Sequence, residues 1–324
     1  MKNSLTIGIP IRNEEESILI FTEYLKKALD VLKIEFPDLL IEVLFCLNGT
    51  TDKSAQILDS ILFNEYLKNT KIIYSKQGKI NALLEIVKNR IFPTGYICFI
   101  DADVKLDEFC IVNLFKDLKL NRKVFLTYSS VYPEQNRTKN FIQIIQQSHY
   151  SLRDNVIPRK YFHGRAYMMR SAIFLCESPR KSLSPYWNLS DGPYVDDIYL
   201  SRLIVHSYGL SSIKENKKAK LFFLPPKNIN DFYLGQRRLM FEIKRLNLLY
   251  PEHSYIQKMF FRKKVNWAHF LDVNNKYLFL YFLYHILEES IRFVVRLEIL
   301  MISLHVMKCK NIWKPLKTTK RWIK

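Results

Sequence analysis

The sequence predicts an α/β fold in which a mostly parallel β-sheet is flanked by helices and followed by a mainly helical C-terminal extension. Short apolar, β-branched runs alternate with amphipathic segments of helix length through the first half of the chain, which is the pattern of βαβ units. The predicted strands are uniformly apolar, as expected for a parallel sheet that is covered on both faces. Beyond residue 225 the alternation is replaced by long helical segments.

The elements follow from these runs in chain order. The predicted strands are Leu5–Ile11, Glu42–Leu47, Lys71–Tyr74, Tyr96–Ile100 and Val124–Ser129. The helices predicted around them are Glu15–Lys33, Asp52–Tyr66, Lys79–Arg90 and Leu106–Leu118. Further helices are predicted over Ile198–His206, Phe232–Leu249, Tyr255–Lys263 and Tyr277–Val306.

Composition excludes some classes of protein and leaves others open. The chain has 324 residues, of which 48% are hydrophobic, so it can bury a core and is too apolar to be disordered. The net charge is +19, and residues 226–324 carry 19 lysines and arginines against seven acidic residues. Such an excess is compatible with nucleic acid, an anionic membrane surface or phosphate-bearing substrates.

Cysteine usage and apolar segments indicate the compartment. The five cysteines are odd in number, widely spaced and without a C-x-x-C pair, which predicts neither a disulfide framework nor a zinc knuckle. The N-terminus lacks the features of a signal peptide, and no run reaches the roughly 18 apolar residues of a spanning helix. We therefore expect a cytoplasmic protein without a transmembrane helix.

Two acidic residues follow the predicted strand Tyr96–Ile100. In ICFIDADVKLD, Asp101 and Asp103 flank a small residue at the carboxyl end of the strand, where open α/β sheets bind ligands. Carboxylates in this arrangement can bind a hard divalent cation whose other ligands are water and phosphate oxygens. The alternative is that they cap the helix predicted from Leu106. No G-x-G-x-x-G or Walker A motif offers another phosphate site.

Several segments occur in the order found in a known family. They are TIGIPIRNEEES, CLNGTTDKS, KQGKINALLEIV, IDADV, FHGRAYMMR, YVDDIYLSRL and YLGQRRLMFE. Together they resemble the inverting nucleotide-sugar glycosyltransferases of family 2, which have the GT-A fold with a Rossmann-like sheet. The resemblance covers roughly residues 5–245. It implies a catalytic domain over 1–225, with the nucleotide sugar bound by 1–105 and the acceptor by 106–225, and a basic helical region over 226–324.

The resemblance implies which residues surround the nucleoside. Pro10, Asn13 and Glu14 would border it, although an acidic helix N-terminus explains Glu14 equally well. The family often has an uracil-binding Asp where this chain has Leu47, with Asn48 beside it. The expected donor is a UDP-sugar contacted by Asn48. A donor with a base other than uracil is the alternative.

The resemblance also implies how the diphosphate is held. Lys79 would lie near the nucleotide, Asp101 would contact ribose or metal, and Asp103 would be the principal ligand of Mg²⁺ or Mn²⁺. In YLGQRRLMFE the family's Arg-Trp positions fall on Leu239 and Met240, which argues against a processive synthase. We expect Gln236, Arg237 and Arg238 to contact the diphosphate instead. The alternative for the two arginines is that they face solvent.

The pair Asp196-Asp197 has two interpretations. By resemblance, Asp197 is the base that takes the proton from the acceptor hydroxyl, and Asp196 is the neighbouring carboxylate that raises its pKa. Alternatively the pair caps the helix Ile198–His206. Histidines are not expected to bind metal, because none of His163, His253 and His269 has a partner at ligand spacing.

The C-terminal region has one informative helix. Its polar residues recur at three- and four-residue spacing on a largely apolar segment: His285, Glu288, Glu289, Arg292, Arg296 and Ser303. Glu288 and Arg292 are expected to pair. The helix either packs deeply against the catalytic domain or lies in a membrane interface. Arg262-Lys263-Lys264 and the tail KCKNIWKPLKTTKRWIK favour attachment at the inner face of an anionic membrane.

These observations predict an inverting, metal-dependent glycosyltransferase acting on a glycan or lipid-linked acceptor in cell-surface polysaccharide biosynthesis. A sugar-phosphate nucleotidyltransferase would need a loop rich in glycine and arginine after the first strand, and this chain has none there. A basic nucleic-acid-binding protein with a degenerate enzyme domain is the other alternative. Neither zinc-finger spacing nor an RNP-like strand supports it, so no nucleic-acid partner is expected.

Overall fold

The computed structural model describes residues 4–62, 69–134, 140–156, 162–171, 196–256, 275–307 and 319–320. The chain forms two compact units. We call residues 1–131, 161–222 and 322–324 the sheet unit, and residues 132–160 and 223–321 the helical unit. The chain thus passes between the units near the predicted boundary at 225, while segment 132–160, expected within the catalytic domain, groups with the helical unit.

An eight-stranded mixed sheet forms from the described strands. They are β1 (Ser4–Ile11), β2 (Leu40–Asn48), β3 (Thr70–Ser75), β4 (Tyr96–Ile100), β5 (Val104–Leu106), β6 (Leu126–Pro133), β7 (Ala166–Arg170) and β8 (Ile213–Phe223). Their spatial order is β3-β2-β1-β4-β7-β6-β8-β5. The first four strands pair in parallel, whereas β7 is antiparallel to both β4 and β6. The predicted α/β class is confirmed.

Eight described helices flank or follow the sheet. They are α1 (Ile18–Glu35), α2 (Ser54–Leu62), α3 (Lys79–Asn89), α4 (Cys110–Leu120), α5 (Phe141–Val156), α6 (Asp196–Tyr208), α7 (Ile229–Leu249) and α8 (Asn275–Ser303). The predicted helix Asp52–Tyr66 is described only to Leu62. The helix predicted over Tyr255–Lys263 lies outside the described residues beyond 256, as do Arg262-Lys263-Lys264, His269 and the basic tail apart from 319–320.

The predicted start of one helix was wrong. Residues 104–106 form β5, and α4 begins only at Cys110. The Asp107 N–H donates to the Lys220 carbonyl on β8 at 3.1 Å, so the chain is still tied to the sheet at that point. The Asp107 carboxylate then accepts from the Phe109 N–H at 3.0 Å and shapes the turn. Asp107, rather than Asp101 or Asp103, therefore binds the backbone just ahead of the helix.

Burial explains the centre of the sheet. Every residue of β1 is buried, because the strand lies between β2 and β4. A Cβ added at Gly8 would lie 2.6 Å from the Ile86 side chain, so α3 packs on β1 at a distance that only glycine permits. Cys46, Cys98 and Cys110 are free and buried in this unit. The close packing holds the start of α3 at the edge where the strands end.

The helical unit has its own apolar core. Ile145 of α5, Phe232 of α7, and Tyr284, Ile291 and Val295 of α8 form one buried cluster. The predicted pair on α8 is confirmed, with the Arg292 guanidinium 2.9 Å from the Glu288 carboxylate. Among the described helices, none has the length and apolarity needed to cross a membrane.

Candidate active site

Two strand directions bring the predicted site residues to one edge of the sheet. β1, β2 and β4 run in parallel, so their carboxyl ends share that edge. Because β7 runs the other way and pairs Ala166 with Ile100, its beginning lies there as well. The Asp101 N–H donates to the Arg165 carbonyl at 2.8 Å. Residues that are far apart in sequence thus meet beside Asp101.

Pro10 lies buried at the end of β1. It is opposite Cys46 on β2, but the pairing of β1 with β4 ends at Gly8 and Phe99. A residue without an N–H is therefore tolerated, since the β1–β4 ladder has already stopped. Pro10 closes the strand at the edge where the nucleoside is predicted to bind.

Asn13 and Glu14 join the loops that follow β1 and β2. Asn13 has a φ of 55°, in the left-handed region, where Asn is among the better tolerated residues. Its Oδ1 accepts from the Thr51 N–H at 2.8 Å. Glu14 is buried, its N–H donates to Ser54 Oγ at 2.7 Å, and its carboxylate accepts from Ser17 Oγ at 2.7 Å. Glu14 therefore has a structural role at the beginning of α1.

Asn48 connects the end of β2 to the beginning of α3. Its side chain is buried, and its Oδ1 accepts from the Gly78 N–H at 3.3 Å. Gly78 has a φ of 128°, which a glycine adopts without strain. Asn48 thus fixes the turn that delivers Lys79.

Lys79 is the cation at the centre of the site. Its Nζ lies 2.7 Å from Asp101 Oδ1, 3.2 Å from Asp196 Oδ1 and 2.9 Å from the Gly164 carbonyl oxygen. These acceptors match the three N–H bonds of an ammonium group. Burial alone would lower the pKa of Lys79, but Asp101 and Asp196 raise it above its usual range. The side chain is therefore charged.

The two carboxylates at the start of α6 have different surroundings. Asp196 is 3% exposed, and its oxygens are bound by Lys79 and by the Tyr167 hydroxyl, which donates at 3.0 Å. Asp197 is more exposed and accepts from two backbone groups, the Gly164 N–H at 3.1 Å and the Ile198 N–H at 2.8 Å. Both oxygens of Asp196 are thus bound by side chains, whereas Asp197 is held by the backbone and is partly exposed.

Burial raises the pKa of Asp197 to about 6, and the charge of Asp196 adds to the shift. The Lys79 ammonium and the two backbone N–H groups lower it in part. Tyr167 has its pKa raised well above the usual range by burial and by the adjacent Asp196, so its hydroxyl remains a donor. The resulting carboxylate is a stronger base than an ordinary aspartate.

Gly164 is a site residue to which the sequence assigned no role. A Cβ at this position would lie 3.0 Å from Asp196 Oδ1 and 3.0 Å from Lys79 Nζ. A side chain here would require Lys79 and Asp196 to move by a few tenths of an ångström. Tyr167 was also missed, because a tyrosine in an apolar strand is typical of a core residue.

His163 supports the same loop instead of binding metal. Its Nε2 lies 2.6 Å from the Ser129 carbonyl oxygen, and its Nδ1 accepts from the Arg165 N–H at 3.3 Å. Both ring nitrogens are therefore in use, which agrees with the expectation of a structural histidine. His253 is buried in the helical unit.

The D-x-D pair offers few ligands of its own. Burial raises the pKa of Asp101 above its usual range, and Lys79 opposes the shift. Asp103 is partly exposed and makes no hydrogen bond or ion pair with the described residues. Within that part of the chain, no three His, Cys, Asp or Glu residues are grouped to hold a metal ion. The two carboxylates fit a cation that takes its other ligands from phosphate oxygens and water, which is common for Mg²⁺.

The remaining predicted site residues lie on α7 in the helical unit. Arg237 is buried and forms a bidentate pair with Glu298, at 2.9 and 2.8 Å from Nε and 2.6 Å from Nη2. Gln236 accepts from the Arg292 Nε at 3.2 Å and donates to Glu288 at 3.3 Å. Arg238 is partly exposed. Their contact with a diphosphate stays a prediction.

Comparison with known proteins assigns the chain to a family. The model of glycosyl transferase family 2 matches residues 6–174, more than half of the chain. The chain belongs to glycosyl transferase family 2. The family predicted from the sequence motifs is thus confirmed. The matched range includes Lys79, Asp101, Asp103 and Gly164. It ends before Asp196, so the family match does not extend to the two carboxylates of α6.

Among solved structures, one mannosyltransferase shows the same fold at low identity. The mannosyltransferase PcManGT from Pyrobaculum calidifontis, in complex with GDP-Man and Mn²⁺, matches with a TM-score of 0.51 and 13% identity over 74% of this chain and 62% of that one. S. aureus TarS 1–349, in complex with UDP-GlcNAc, matches with a TM-score of 0.47 and 16% identity over 76% and 67%. This chain thus spans less than two thirds of PcManGT. A search of curated proteins found no match. The predicted GT-A fold is confirmed.

Proposed function

We propose that this glycosyltransferase moves one sugar from a nucleotide-diphosphate donor to an acceptor hydroxyl with inversion at the anomeric carbon. The observation that carries the proposal is the pair of unlike carboxylates on α6, beside the D-x-D residues that end β4. One carboxylate, Asp196, is fixed by side chains, with Lys79 Nζ at 3.2 Å and the Tyr167 hydroxyl at 3.0 Å. The other has a raised pKa and reaches solvent, as a general base must.

The donor is proposed to bind at the carboxyl ends of β1, β2 and β4. Pro10, Asn13 and Asn48 line this edge, and Lys79 adds a fixed positive charge next to Asp101. PcManGT, which shares the fold, was solved with GDP-Man and Mn²⁺. We expect a nucleotide sugar here as well, with UDP preferred and GDP as the competing base.

A divalent cation, Mg²⁺ or Mn²⁺, is proposed to be held by Asp103 together with Asp101. When bound, it would neutralise charge that develops on the departing diphosphate. Asp103 is suited to this role because its carboxylate has no partner among the described residues. Lys79 already balances the charge of Asp101, so Asp103 would be the more important ligand.

Asp197 is proposed as the base and Asp196 as the neighbouring carboxylate that raises its pKa. Both Asp197 oxygens accept a backbone N–H, which orients the carboxylate without using all its lone pairs. With a pKa of about 6, it is ionised near neutral pH and still accepts a proton from the acceptor hydroxyl as that oxygen attacks. Attack from the face opposite the diphosphate gives inversion.

The acceptor is proposed to be a glycan or a lipid-linked intermediate of cell-surface polysaccharide synthesis, at the cytoplasmic side of the membrane. The basic residues of 226–324 suit an acidic acceptor surface, and the free buried cysteines suit a reducing compartment. Membership of a glycosyltransferase family disfavours the nucleotidyltransferase alternative.

The test is a panel of UDP- and GDP-sugars with Mg²⁺ or Mn²⁺, measured by calorimetric binding and by nucleotide release. We expect one donor to bind and turn over, and Asp103→Asn to weaken binding only when metal is present. Asp38→Asn, an exposed carboxylate in the same unit, is the matched control. The proposal fails if no nucleotide sugar binds, or if Asp103→Asn releases nucleotide as fast as the unmodified protein.

A further inference from the structure

One face of α8 carries a line of exposed apolar side chains. Six residues at spacings of three, four or seven are between 43% and 64% exposed: Phe279, Phe282, Ile286, Phe293, Leu297 and Leu300. This spacing places them on one side of a helix, and we call them the apolar stripe. The small Ser290 takes the position between Ile286 and Phe293. From Phe279 to Leu300 the stripe is about 32 Å long at 1.5 Å per residue.

The opposite face of α8 is also apolar and is already used. Tyr284, Ile291 and Val295 are buried in the core of the helical unit. A surface helix normally turns polar residues outward, opposite its buried face. α8 instead keeps Glu288 7% exposed, where it is bound by Gln236 and Arg292. Part of the polar stripe that the sequence shows therefore faces inward, and the apolar stripe faces out.

An outward apolar surface of this length marks an interaction site. The charges around the apolar stripe indicate which kind of surface it binds. Glu289 is the exposed acidic residue beside the stripe, and it is paired with Arg292 at 3.0 Å and Arg296 at 3.4 Å, so the edge carries no net negative charge. After the helix, residues 308–324 contain seven lysines and arginines, two tryptophans and no acidic residue. Apolar and aromatic side chains beside a basic segment are typical of binding to an anionic lipid surface.

A second copy of the chain would cover the stripe less well. Association of two copies would bring together two segments of 226–324, each with 19 basic and seven acidic residues, which repel. An anionic bilayer neutralises that charge and buries the stripe at the same time. Since no described helix is long and apolar enough to cross a bilayer, α8 would lie along the surface.

We propose that the apolar stripe of α8 inserts into the interface of an anionic membrane, with the helix axis parallel to the surface, and that the excess of basic residues in 226–324 favours anionic over neutral lipid. The inference does not depend on the proposed function, because lipid binding needs neither donor nor metal. It assigns the membrane attachment to a defined set of side chains. It also explains why both faces of this helix are apolar.

The test is sedimentation of the full chain with two kinds of vesicle, phosphatidylcholine alone and phosphatidylcholine mixed with phosphatidylglycerol. We expect binding to the mixed vesicles, weakening with salt, and a loss of more than tenfold in Phe282→Glu/Phe293→Glu. The matched control is Leu248→Glu/Leu249→Glu, two residues of α7 that are 74% and 47% exposed and lie off the stripe. Circular dichroism establishes that each variant is folded, and Phe282→Ser/Phe293→Ser replaces the charged variant if that one does not fold.

Three outcomes would overturn the inference. The unmodified protein could fail to sediment with mixed vesicles, or the stripe variant could bind as well as the control. Light scattering could also show a dimer that the stripe variant converts to a monomer without any lipid binding, which would assign the stripe to a second copy. Nucleotide release measured without vesicles reports on the proposed function separately, so failure of one proposal is distinguishable from failure of the other.

Discussion

Replacement of Asp197 by asparagine tests the proposed base directly. The change removes the negative charge and the proton acceptor while leaving the size of the side chain nearly the same. Gly164 N–H and Ile198 N–H each donate to a different Asp197 oxygen. An asparagine keeps one acceptor oxygen and places an NH₂ group against the other donor.

Two effects of different size follow. Loss of a general base lowers the rate by roughly 10²–10⁴-fold, which is about 3–5 kcal/mol in activation free energy. Loss of one backbone hydrogen bond costs about 1–3 kcal/mol of unfolding free energy, and relief of the repulsion from Asp196 offsets part of it. We therefore expect a stably folded protein that has lost most of its activity.

The assay is kcat from nucleotide release at saturating donor and acceptor, with thermal unfolding measured on the same sample. Asp38→Asn again serves as the control, because it removes an exposed carboxylate of the sheet unit. Donor binding by calorimetry should be retained, since the base does not hold the donor. A kcat in Asp197→Asn close to that of the control would refute the assignment.

Three further outcomes are expected. Gly164→Ala should lower kcat while the protein stays folded, because the added Cβ would lie 3.0 Å from the Lys79 ammonium and displace it. An unchanged kcat would show that the loop accommodates the methyl group. The pKa of Asp197 is raised to about 6, so kcat/KM should be constant above that pH and fall as the pH drops through it, because the base becomes protonated. A kcat/KM that stays constant down to the pKa of an ordinary aspartate would contradict this. Arg237→Met should destabilise the helical unit by about 3 kcal/mol or more, because it leaves Glu298 without its bidentate partner, and chemical denaturation measures the loss.

The sequence predicted which polar residues lie at the ends of β1, β2 and β4. Apolar residues predominate in β1, β2 and β4, so the ends of these strands are visible as the points where runs of polar residues begin. Asp101, which directly follows β4, and Asn48, the last residue of β2, could be placed at one edge from strand direction alone. Glu14 contacts Ser54 and Ser17 just before α1, and its contact with the nucleoside stays a prediction.

The surroundings of Gly164, strand β8 and the orientation of α8 could not be predicted from the sequence. The contact of Gly164 with Lys79 exists because β7 enters the sheet antiparallel to β4, and the direction of a strand has no signature in a five-residue run such as AYMMR. β8 was missed because its lysines mask the strand pattern. The orientation of α8 was likewise hidden, since a helix that is apolar on two faces has no single face to assign to a core.

Gly164 has a consequence for how the two substrates influence each other. Its carbonyl holds Lys79, next to the proposed donor site, and its N–H holds Asp197, next to the proposed acceptor site. A displacement of Lys79 on donor binding would therefore change the hydrogen bond that sets the orientation and basicity of Asp197. Such coupling is reciprocal in free energy: the factor by which donor tightens acceptor binding is the factor by which acceptor tightens donor binding. A single backbone residue would then make the affinities of the two substrates interdependent.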